Sequence, residues 1–163
     1  MIEIRLAKDK DWVQIWPIVR EVFQSGTTYA YSPETNKEKA YEIWMNTPTA
    51  TYLALSDGIV AGTYYIRPNQ PELGSHVCNA GYMVSSSARG QGLGRALCAH
   101  SLQEAVRLGF KAMQYNLVVV TNRYAIKLWQ DMGFEIVGTL PRAFNHKEMG
   151  LVDAHILYRL LDE

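Results

Sequence analysis

The sequence lacks the features that mark several protein classes. Its 16 Lys and Arg residues balance 16 Asp and Glu residues, so the zero formal net charge argues against a nucleic-acid partner. It has only two cysteines, Cys78 and Cys98, and because they lack metal-ligand spacing we expect buried free thiols in a reducing compartment and no metal. No apolar run approaches the ~20 residues that cross a bilayer, so no membrane partner is expected. Residues 1–10 lack the apolar segment of a signal peptide, which makes the cytoplasm the expected location.

The size and composition of the chain fit one folded domain. Of its 163 residues, 48% are hydrophobic and 20% are charged, a balance that supports a packed core rather than a disordered chain. No repeat, linker or low-complexity segment interrupts the sequence. We therefore predict a single domain over residues 1–163.

Hydrophobic periodicity predicts the element order β-α-α-β-β-β-α-β-α-β-β. The segments TYLALS and IVAGTYYI flank Asp57-Gly58, a pattern typical of a β-hairpin. The last two strands, FEIVGTL and DAHILYRL, are expected to be separated by a loop that contains Pro141 and Gly150. This order indicates a mixed sheet with helices packed on it.

The stretch RGQGLGRA, residues 89–96, places three glycines directly before a predicted helix. Such a turn lets several backbone N–H groups converge on one anion, and the helix dipole adds a favourable field there. A mobile loop with a glycine cap is the alternative explanation. The spacing does not match a dinucleotide-binding pattern, because Arg95 stands where the third glycine is needed, and Gly94-Arg95-Ala96 does not match a P-loop.

Two blocks of the sequence together resemble the GCN5-related N-acetyltransferases, the GNAT family. The first block resembles the loop that binds the pyrophosphate of acyl-CoA, with the pattern Arg/Gln-x-x-Gly-x-Gly/Ala, at Arg89, Gly92 and Gly94. The second resembles the signature N-x-x-A-x-x-L-x-x-x-x-G-F, at Asn122, Ala125, Leu128, Gly133 and Phe134. The resemblance spans residues 77–138. Within the family, YNLVVVTN, with Asn116 and Asn122, resembles fungal enzymes that acetylate azetidine-2-carboxylate, a proline analogue.

The resemblance implies an α/β (α+β) fold with a mixed, mostly antiparallel central sheet, helices on both faces and a splayed strand pair. The strand ending in GYMV would diverge from KAMQYNLVVV, and the pantetheine arm of acetyl-CoA would lie in that gap. The Val84 N–H would then face the thioester oxygen. The residues implied to bind this co-substrate are Met83, Val84, Arg89, Gly90, Gln91, Gly92, Leu93, Gly94, Arg95, Ala96 and Asn122.

Acetyl transfer to an amine requires a neutral amine, donors for the tetrahedral oxyanion and a proton for the departing thiolate. Val84, Asn116 and Asn122 are the candidate catalytic residues, with Asn122 orienting the pantetheine or donating to sulfur and Asn116 holding the amine or its carboxylate. Many family members carry a tyrosine acid where this chain has Trp129, whose indole N–H does not act as an acid. Tyr124 is the alternative acid.

The general base is left open by the sequence. The candidates are Glu72, His76, His146 and His155, and a chain of water molecules to solvent is the alternative to any single side chain.

The family implies that the acceptor binds at the loop between the first two helices, residues 24–31. Its predicted contacts are Thr27, Thr28, Tyr29 and Tyr31, together with Asn116. Hydroxyl groups and aromatic walls suit a small polar amine such as an amino acid, and the loop has no acidic stretch for a polyamine. A polar loop with aromatic anchors is the structural alternative.

The sequence thus predicts an enzyme that transfers an acetyl group from acetyl-CoA to the amine of a small molecule, such as an amino acid or its analogue, by direct attack in a ternary complex. One alternative is a protein acetyltransferase acting on N-terminal amines or lysines. Another is a non-catalytic acyl-CoA-binding module. Exposed aromatic residues and a late apolar strand leave room for a homodimer.

Overall fold

The computed structural model describes residues 1–161, which form one seven-stranded sheet and four α-helices. The strands are β1 (Ile2–Leu6), β2 (Ala50–Ser56), β3 (Ile59–Pro68), β4 (Val77–Val84), β5 (Ala112–Val119), β6 (Glu135–His146) and β7 (Gly150–Leu160). The helices are α1 (Trp12–Ser25), α2 (Lys37–Tyr41, continued by a π-helical turn Glu42–Asn46), α3 (Leu93–Arg107) and α4 (Arg123–Asp131). The predicted element order is confirmed.

The sheet has the strand order β1-β2-β3-β4-β5-β7-β6. All neighbouring pairs are antiparallel except β4 and β5, which run parallel. The β4–β5 ladder contains only Val77 opposite Ala112 and Cys78 opposite Met113. Beyond these two pairs the strands separate, so the mostly antiparallel sheet with one splayed pair is confirmed.

Apolar side chains form two buried clusters, one on each face of the sheet. Tyr64 and Tyr65 are neighbours on β3 but belong to different clusters, because side chains alternate between the faces of a strand. The cluster with Tyr65 packs against α1 and α2 through residues such as Phe23 and Trp44. The cluster with Tyr64 packs against α3 and α4 through residues such as Leu97. Helices on both faces are therefore also confirmed.

The loop predicted between the last two strands is mostly strand. β6 continues through Pro141 to His146, with a break in its register between Leu140 and Phe144 and a positive φ of 52° at Arg142. Proline is tolerated here because β6 is an edge strand and a local irregularity absorbs the missing N–H donor. The turn that joins β6 to β7 covers only residues 147–149.

Cys78 and Cys98 are free and buried, as predicted. Burial raises the pKa of Cys78 to about 12 and that of Cys98 to about 11. Within residues 1–161, no helix combines the length and the apolar character needed to span a membrane. The same residues contain no cluster of three or more His, Cys, Asp or Glu side chains placed to hold a metal ion.

Candidate functional site

β4 directs backbone groups that take no part in the sheet ladder into the gap beside β5. Its other edge is bound to β3, where Ser85 N–H donates to Ala61 O at 2.8 Å and Asn69 N–H donates to Val77 O at 2.8 Å. In an antiparallel ladder the odd-numbered residues of β4 then pair with β3, and the even-numbered residues point their N–H and C=O groups the opposite way. Tyr82 and Val84 therefore direct backbone donors and acceptors into the gap.

The bend that opens the gap lies in β5. Tyr115 is opposite Leu157 and Val118 is opposite His155, so β5 has one extra residue between these two pairs. Such a bulge bends its strand and increases the local twist. The segment that follows the bulge therefore turns away from β4.

Asn79 bridges the two strands where the gap begins. Its Nδ2 donates to Gln114 O on β5 at 2.9 Å, and its Oδ1 accepts the Tyr65 hydroxyl at 3.2 Å. A side-chain bond thus replaces the backbone ladder at this point. Asn79 and Tyr65 were not identified from the sequence, because only the register of β3, β4 and β5 brings them together.

A cleft of about 940 Å³ extends from the gap to both faces of the sheet. At one end it reaches the glycine-rich turn before α3, and at the other it reaches the loop between α1 and α2. We call the first the glycine end, at residues 89–96, and the second the loop end, at residues 24–31. One continuous space therefore joins the two segments to which the sequence assigned binding.

The glycine end exposes the N-terminus of α3. Gly90 and Gly92 have φ values of 83° and 78°, and a Cβ at either position would meet no atom within 4 Å. Intrahelical bonding begins where Ala96 N–H donates to Gly92 O at 3.0 Å, so the N–H groups of residues 93–95 precede it. Free amides, absent Cβ atoms and the positive end of the helix dipole together suit a phosphate group.

Gly94 serves a different purpose from the other two glycines. A Cβ there would lie 3.1 Å from Leu128 Cδ2, so the absent side chain allows α3 to pack closely on α4. The first signature block, at Gly94, therefore packs against the second, at Leu128.

The predicted side chains of the glycine end divide between the cleft and the surface. Arg89 and Leu93 line the cleft, whereas Gln91, Arg95 and Ala96 do not. The Gln91 Oε1 accepts the Ser56 hydroxyl at 2.8 Å, and the Arg95 guanidinium lies 3.6 Å from the Asp131 carboxylate. Of these three, Gln91 and Arg95 still have backbone N–H groups without a backbone acceptor among residues 1–161, whereas the Ala96 N–H is bonded to Gly92 O.

A carboxylate on α1 holds the turn that precedes the glycines. Glu21 accepts the backbone N–H of Ser86 at 3.1 Å and its hydroxyl at 2.7 Å. These bonds lower the pKa of Glu21 from its usual value. The glycine end is thus connected to the helix that begins the acceptor loop.

Comparison with known proteins agrees with this geometry. The model of the family described as Acetyltransferase (GNAT) family matches residues 14–134. The chain belongs to the GNAT family. The predicted family resemblance is confirmed.

Two solved GNAT structures share the fold. A GCN5-related N-acetyltransferase from Kribbella flavida is 45% identical, with a TM-score of 0.92 over 98% of this chain and 97% of that chain. A GNAT superfamily phosphinothricin acetyltransferase from Sinorhizobium meliloti in complex with AcCoA is 22% identical, with a TM-score of 0.87 over 99% of this chain and 89% of that chain.

Another relative matches the chain over a shorter stretch. N-acetyltransferase aca1 of Schizosaccharomyces pombe is 44% identical over 96 residues, which are 58% of this chain and 46% of that protein. The match therefore spans about half the length of that relative.

In this GNAT chain Asn122 is the N-cap of α4. Its Oδ1 accepts the Ala125 N–H at 3.3 Å, and the residue lines the cleft. Because the oxygen is engaged, Nδ2 is the group that Asn122 can offer to a bound molecule. Both predicted roles of Asn122, orienting the pantetheine and donating to sulfur, stay predictions.

Trp129 and Tyr124 lie at different depths of the cleft. Trp129 is buried and packs its ring 4.9 Å from Tyr82 and 5.1 Å from Tyr115, centroid to centroid. It acts as part of the floor where many GNAT members have a tyrosine. Tyr124 lines the cleft from the first turn of α4 and is 74% exposed.

The loop end gathers the predicted acceptor residues. Thr27, Thr28, Tyr29 and Tyr31 all line the cleft. The Tyr29 hydroxyl is already engaged, since it donates to Tyr82 O in the gap at 2.8 Å, and burial raises the pKa of this phenol. Tyr29 is therefore a wall of the cleft whose hydroxyl is held by β4.

Asn116 lies at the mouth of the same end. Its Nδ2 donates to Asn69 Oδ1 at 2.7 Å and its Oδ1 accepts from Gln114 Nε2 at 3.0 Å. Both polar groups of the side chain are thus paired within residues 1–161. An acceptor would contact Asn116 by sharing or replacing these bonds.

Of the four candidate bases, His146 alone is at the cleft among residues 1–161. Its Nδ1 accepts the N–H groups of Glu148 at 3.1 Å and Met149 at 3.2 Å, so the neutral ring carries its proton on Nε2. The ring is then a donor at Nε2 and has no lone pair there to take a proton. Glu72, His76 and His155 do not line the cleft.

Met83 lines the cleft, but its backbone N–H and C=O groups turn toward β3 and not into the gap. It is opposite Thr63 in the β3–β4 ladder, and its buried side chain belongs to the cluster under α1. Of the two β4 residues predicted to contact pantetheine, Val84 is the one whose backbone N–H points into the gap.

Proposed function

We propose that this GNAT protein transfers the acetyl group of acetyl-CoA to the amine of a small molecule, by direct attack in a ternary complex. The observation that carries the proposal is the continuity of the cleft, which joins a helix terminus suited to phosphate, the edge of β4 that faces the gap and an acceptor end lined by the loop between α1 and α2. Acetyl-CoA supplies the activated acetyl thioester. The N–H groups of residues 90–95 and Arg89 would hold its pyrophosphate, and the edge of β4 would pair with its pantetheine.

Val84 would stabilise the oxyanion. Its N–H points into the gap and takes no part in the β3 ladder. A preplaced donor of this kind costs nothing to reorganise during reaction and is commonly worth ~3 kcal/mol. The Asn122 Nδ2 would act at the sulfur, where a hydrogen bond stabilises the thiolate without a proton transfer.

The hydrogen bonds that hold the acceptor loop favour a small acceptor over a protein. Lys147 N–H donates to Gly26 O at 3.0 Å, and Tyr29 binds Tyr82 O at the other side of the loop. The loop therefore crosses the acceptor end and is fixed at both sides. A folded or extended peptide would have to displace these contacts to reach the gap.

A free-thiol assay tests the proposal. Acetyl-CoA and the protein are mixed with a panel of amino acids, amino-acid analogues, polyamines and peptides, and CoA release is followed. Turnover is expected with one or more small amines. Release with peptides alone would indicate a protein acetyltransferase. Thermal stabilisation by CoA without release for any amine would indicate a non-catalytic binding module.

Several other features stay predictions. They are the limits of the single domain, the cytoplasmic location, the homodimer and the absence of nucleic-acid, membrane and metal partners. None of them enters the mechanism.

A further inference from the structure

Arg67 places a positive charge at the loop end of the cleft. It stands near the end of β3, is half-buried and lines the cleft. Its Cζ lies 5.7 Å from the centroid of the Tyr65 ring, an arrangement that holds a guanidinium by a cation–π contact. Within residues 1–161 no carboxylate forms an ion pair with it.

The charges that line the cleft are all positive. Among residues 1–161, Arg67 and Arg89 are the charged lining residues, and no Asp, Glu or Lys side chain lines the cleft. Arg89 belongs to the glycine end, where a pyrophosphate would neutralise it. The charge of Arg67 has no such counterpart in the proposed cofactor site.

His146, another residue of the cleft, also offers a donor rather than an acceptor. Arg67 is opposite Asn79 in the β3–β4 register, so it lies beside the point where the gap begins. His146 lines the same cleft, and its ring keeps Nε2–H as its remaining polar group. A cationic polyamine would find no carboxylate here, whereas an anionic group would find a guanidinium.

We propose that the Arg67 guanidinium binds a carboxylate of the acceptor, so that the acceptor is an amino acid or a similar amine that carries a carboxylate. The inference rests on the proposed function and specifies its substrate class. The planar guanidinium can donate two parallel N–H groups to a carboxylate, and the Tyr65 ring supports it through the cation–π contact. Anchoring the carboxylate beside the start of the gap leaves the amine to extend toward Val84.

Matched pairs of free amino acids and their primary amides test this inference, with azetidine-2-carboxylate and its amide included. Rates are compared at equal concentrations of unprotonated amine, because an amide lowers the amine pKa. The wild-type kcat/KM should favour the acid by about 10- to 100-fold, the range of a charge-assisted hydrogen bond. Arg67→Gln should abolish this preference, mainly through KM, and Arg67→Lys should retain part of it.

Two controls separate the anchor from a packing role. Arg20→Gln changes an exposed arginine of α1 outside the cleft and should leave the preference unchanged. The CoA affinity of Arg67→Gln should equal that of the wild type, because the glycine end is intact. If Arg67→Gln does not fold, the inference is still tested by the wild-type preference for acids over amides and by its partial retention in Arg67→Lys.

The possible failures are distinguishable. If Arg67→Gln lowers turnover of acids and amides equally, or if the wild type has no preference for acids, the carboxylate anchor is wrong and the acetyltransferase activity stands. If no amine is acetylated at all, the proposed function and the anchor fail together.

Discussion

Asn122 and Ala125 are joined by a hydrogen bond of 3.3 Å in which the Asn122 Oδ1 accepts the Ala125 N–H. The bond caps α4 and fixes the asparagine, so that its Nδ2 remains as a donor at the cleft. The Oδ1 of this side chain thus stabilises the helix, whereas its Nδ2 is available to bind a ligand. Substitutions that keep only one of the two groups can separate these roles.

Asn122→Asp keeps an oxygen for the cap but removes the donor, because an ionised carboxylate only accepts hydrogen bonds, whereas Asn122→Ser keeps both a cap oxygen and an O–H donor. We expect both variants to unfold near the wild-type temperature, and Asn122→Asp to lose roughly 10- to 100-fold in kcat, because the thiolate loses a hydrogen bond. Asn122→Ala removes both the cap oxygen and the amide donor, and should also lose about 1 kcal/mol of stability. Thermal melting and the thiol assay measure the two effects. Full activity of Asn122→Asp, whose ionised carboxylate has no donor, would show that the donor is not used.

Val84→Pro removes one backbone N–H from the gap without breaking the β3 ladder, since that N–H faces the other edge. We expect kcat to fall by roughly 10²–10³, the usual loss for one oxyanion donor. Val84→Ala keeps the N–H and serves as the matched control. Wild-type turnover by a folded Val84→Pro protein would place the oxyanion elsewhere.

The pH profile should show no titrating base in the cleft. No carboxylate among residues 1–161 lines it, and the Nδ1 of His146 is occupied by the N–H groups of Glu148 and Met149. Burial raises the pKa of Tyr65 to about 12, so this phenol stays protonated through the neutral range. Log kcat/KM should therefore rise with a slope of about one up to the pKa of the acceptor amine. A side chain that takes the proton would add a second ionisation, visible as a steeper slope at low pH.

The ion pair of Asp11 with Arg5 should contribute to stability above pH 4. The hydrogen bond from Arg5, at 2.9 Å, lowers the pKa of Asp11 from 3.8 to about 2. A lowered pKa contributes stability that is complete above the unfolded value and is lost as the pH falls from about 4 to about 2.

Asp11→Asn should therefore lose roughly 1–2 kcal/mol at pH 7, with little difference from the wild type near pH 2. Asp57→Asn is the control, because the Asp57 carboxylate is paired with the N-terminus on an open surface and should matter little. Urea denaturation at both pH values measures this. An equal loss at both pH values would contradict the electrostatic explanation.

The parts of the fold predicted from the sequence are those that local patterns determine. Asp57 and Gly58 both adopt positive φ, as the hairpin pattern requires, and Gly90 and Gly92 do so before α3. The loop predicted around Pro141 was wrong because the edge position of β6, which a local pattern does not reveal, makes proline acceptable.

The acceptor side of the cleft was the least predictable part. Arg67 and Tyr65 share one face of β3, but Asn79 meets them only through the β3–β4 register, and its bond to Gln114 spans 35 residues of sequence. His146 reaches the cleft because β6 is longer than predicted. These contacts depend on strand pairing, which periodicity does not specify.

The central claim is that the main-chain amides at the start of α3 hold the pyrophosphate of acetyl-CoA. Gly92→Val and Gly109→Val are a matched pair, because φ is 78° and 93° at the two glycines and neither Cβ would meet an atom within 4 Å. Each variant should carry a similar backbone strain of about 1–2 kcal/mol. Gly92 alone of the two lines the cleft.

The decisive measurement is the calorimetric CoA affinity of the folded Gly92→Val and Gly109→Val proteins. We expect Gly92→Val to bind CoA at least about 10-fold more weakly than Gly109→Val, since it loses charge-assisted bonds to phosphate. Equal CoA affinities of the two variants would contradict the account, because the pyrophosphate would then lie away from the glycine end.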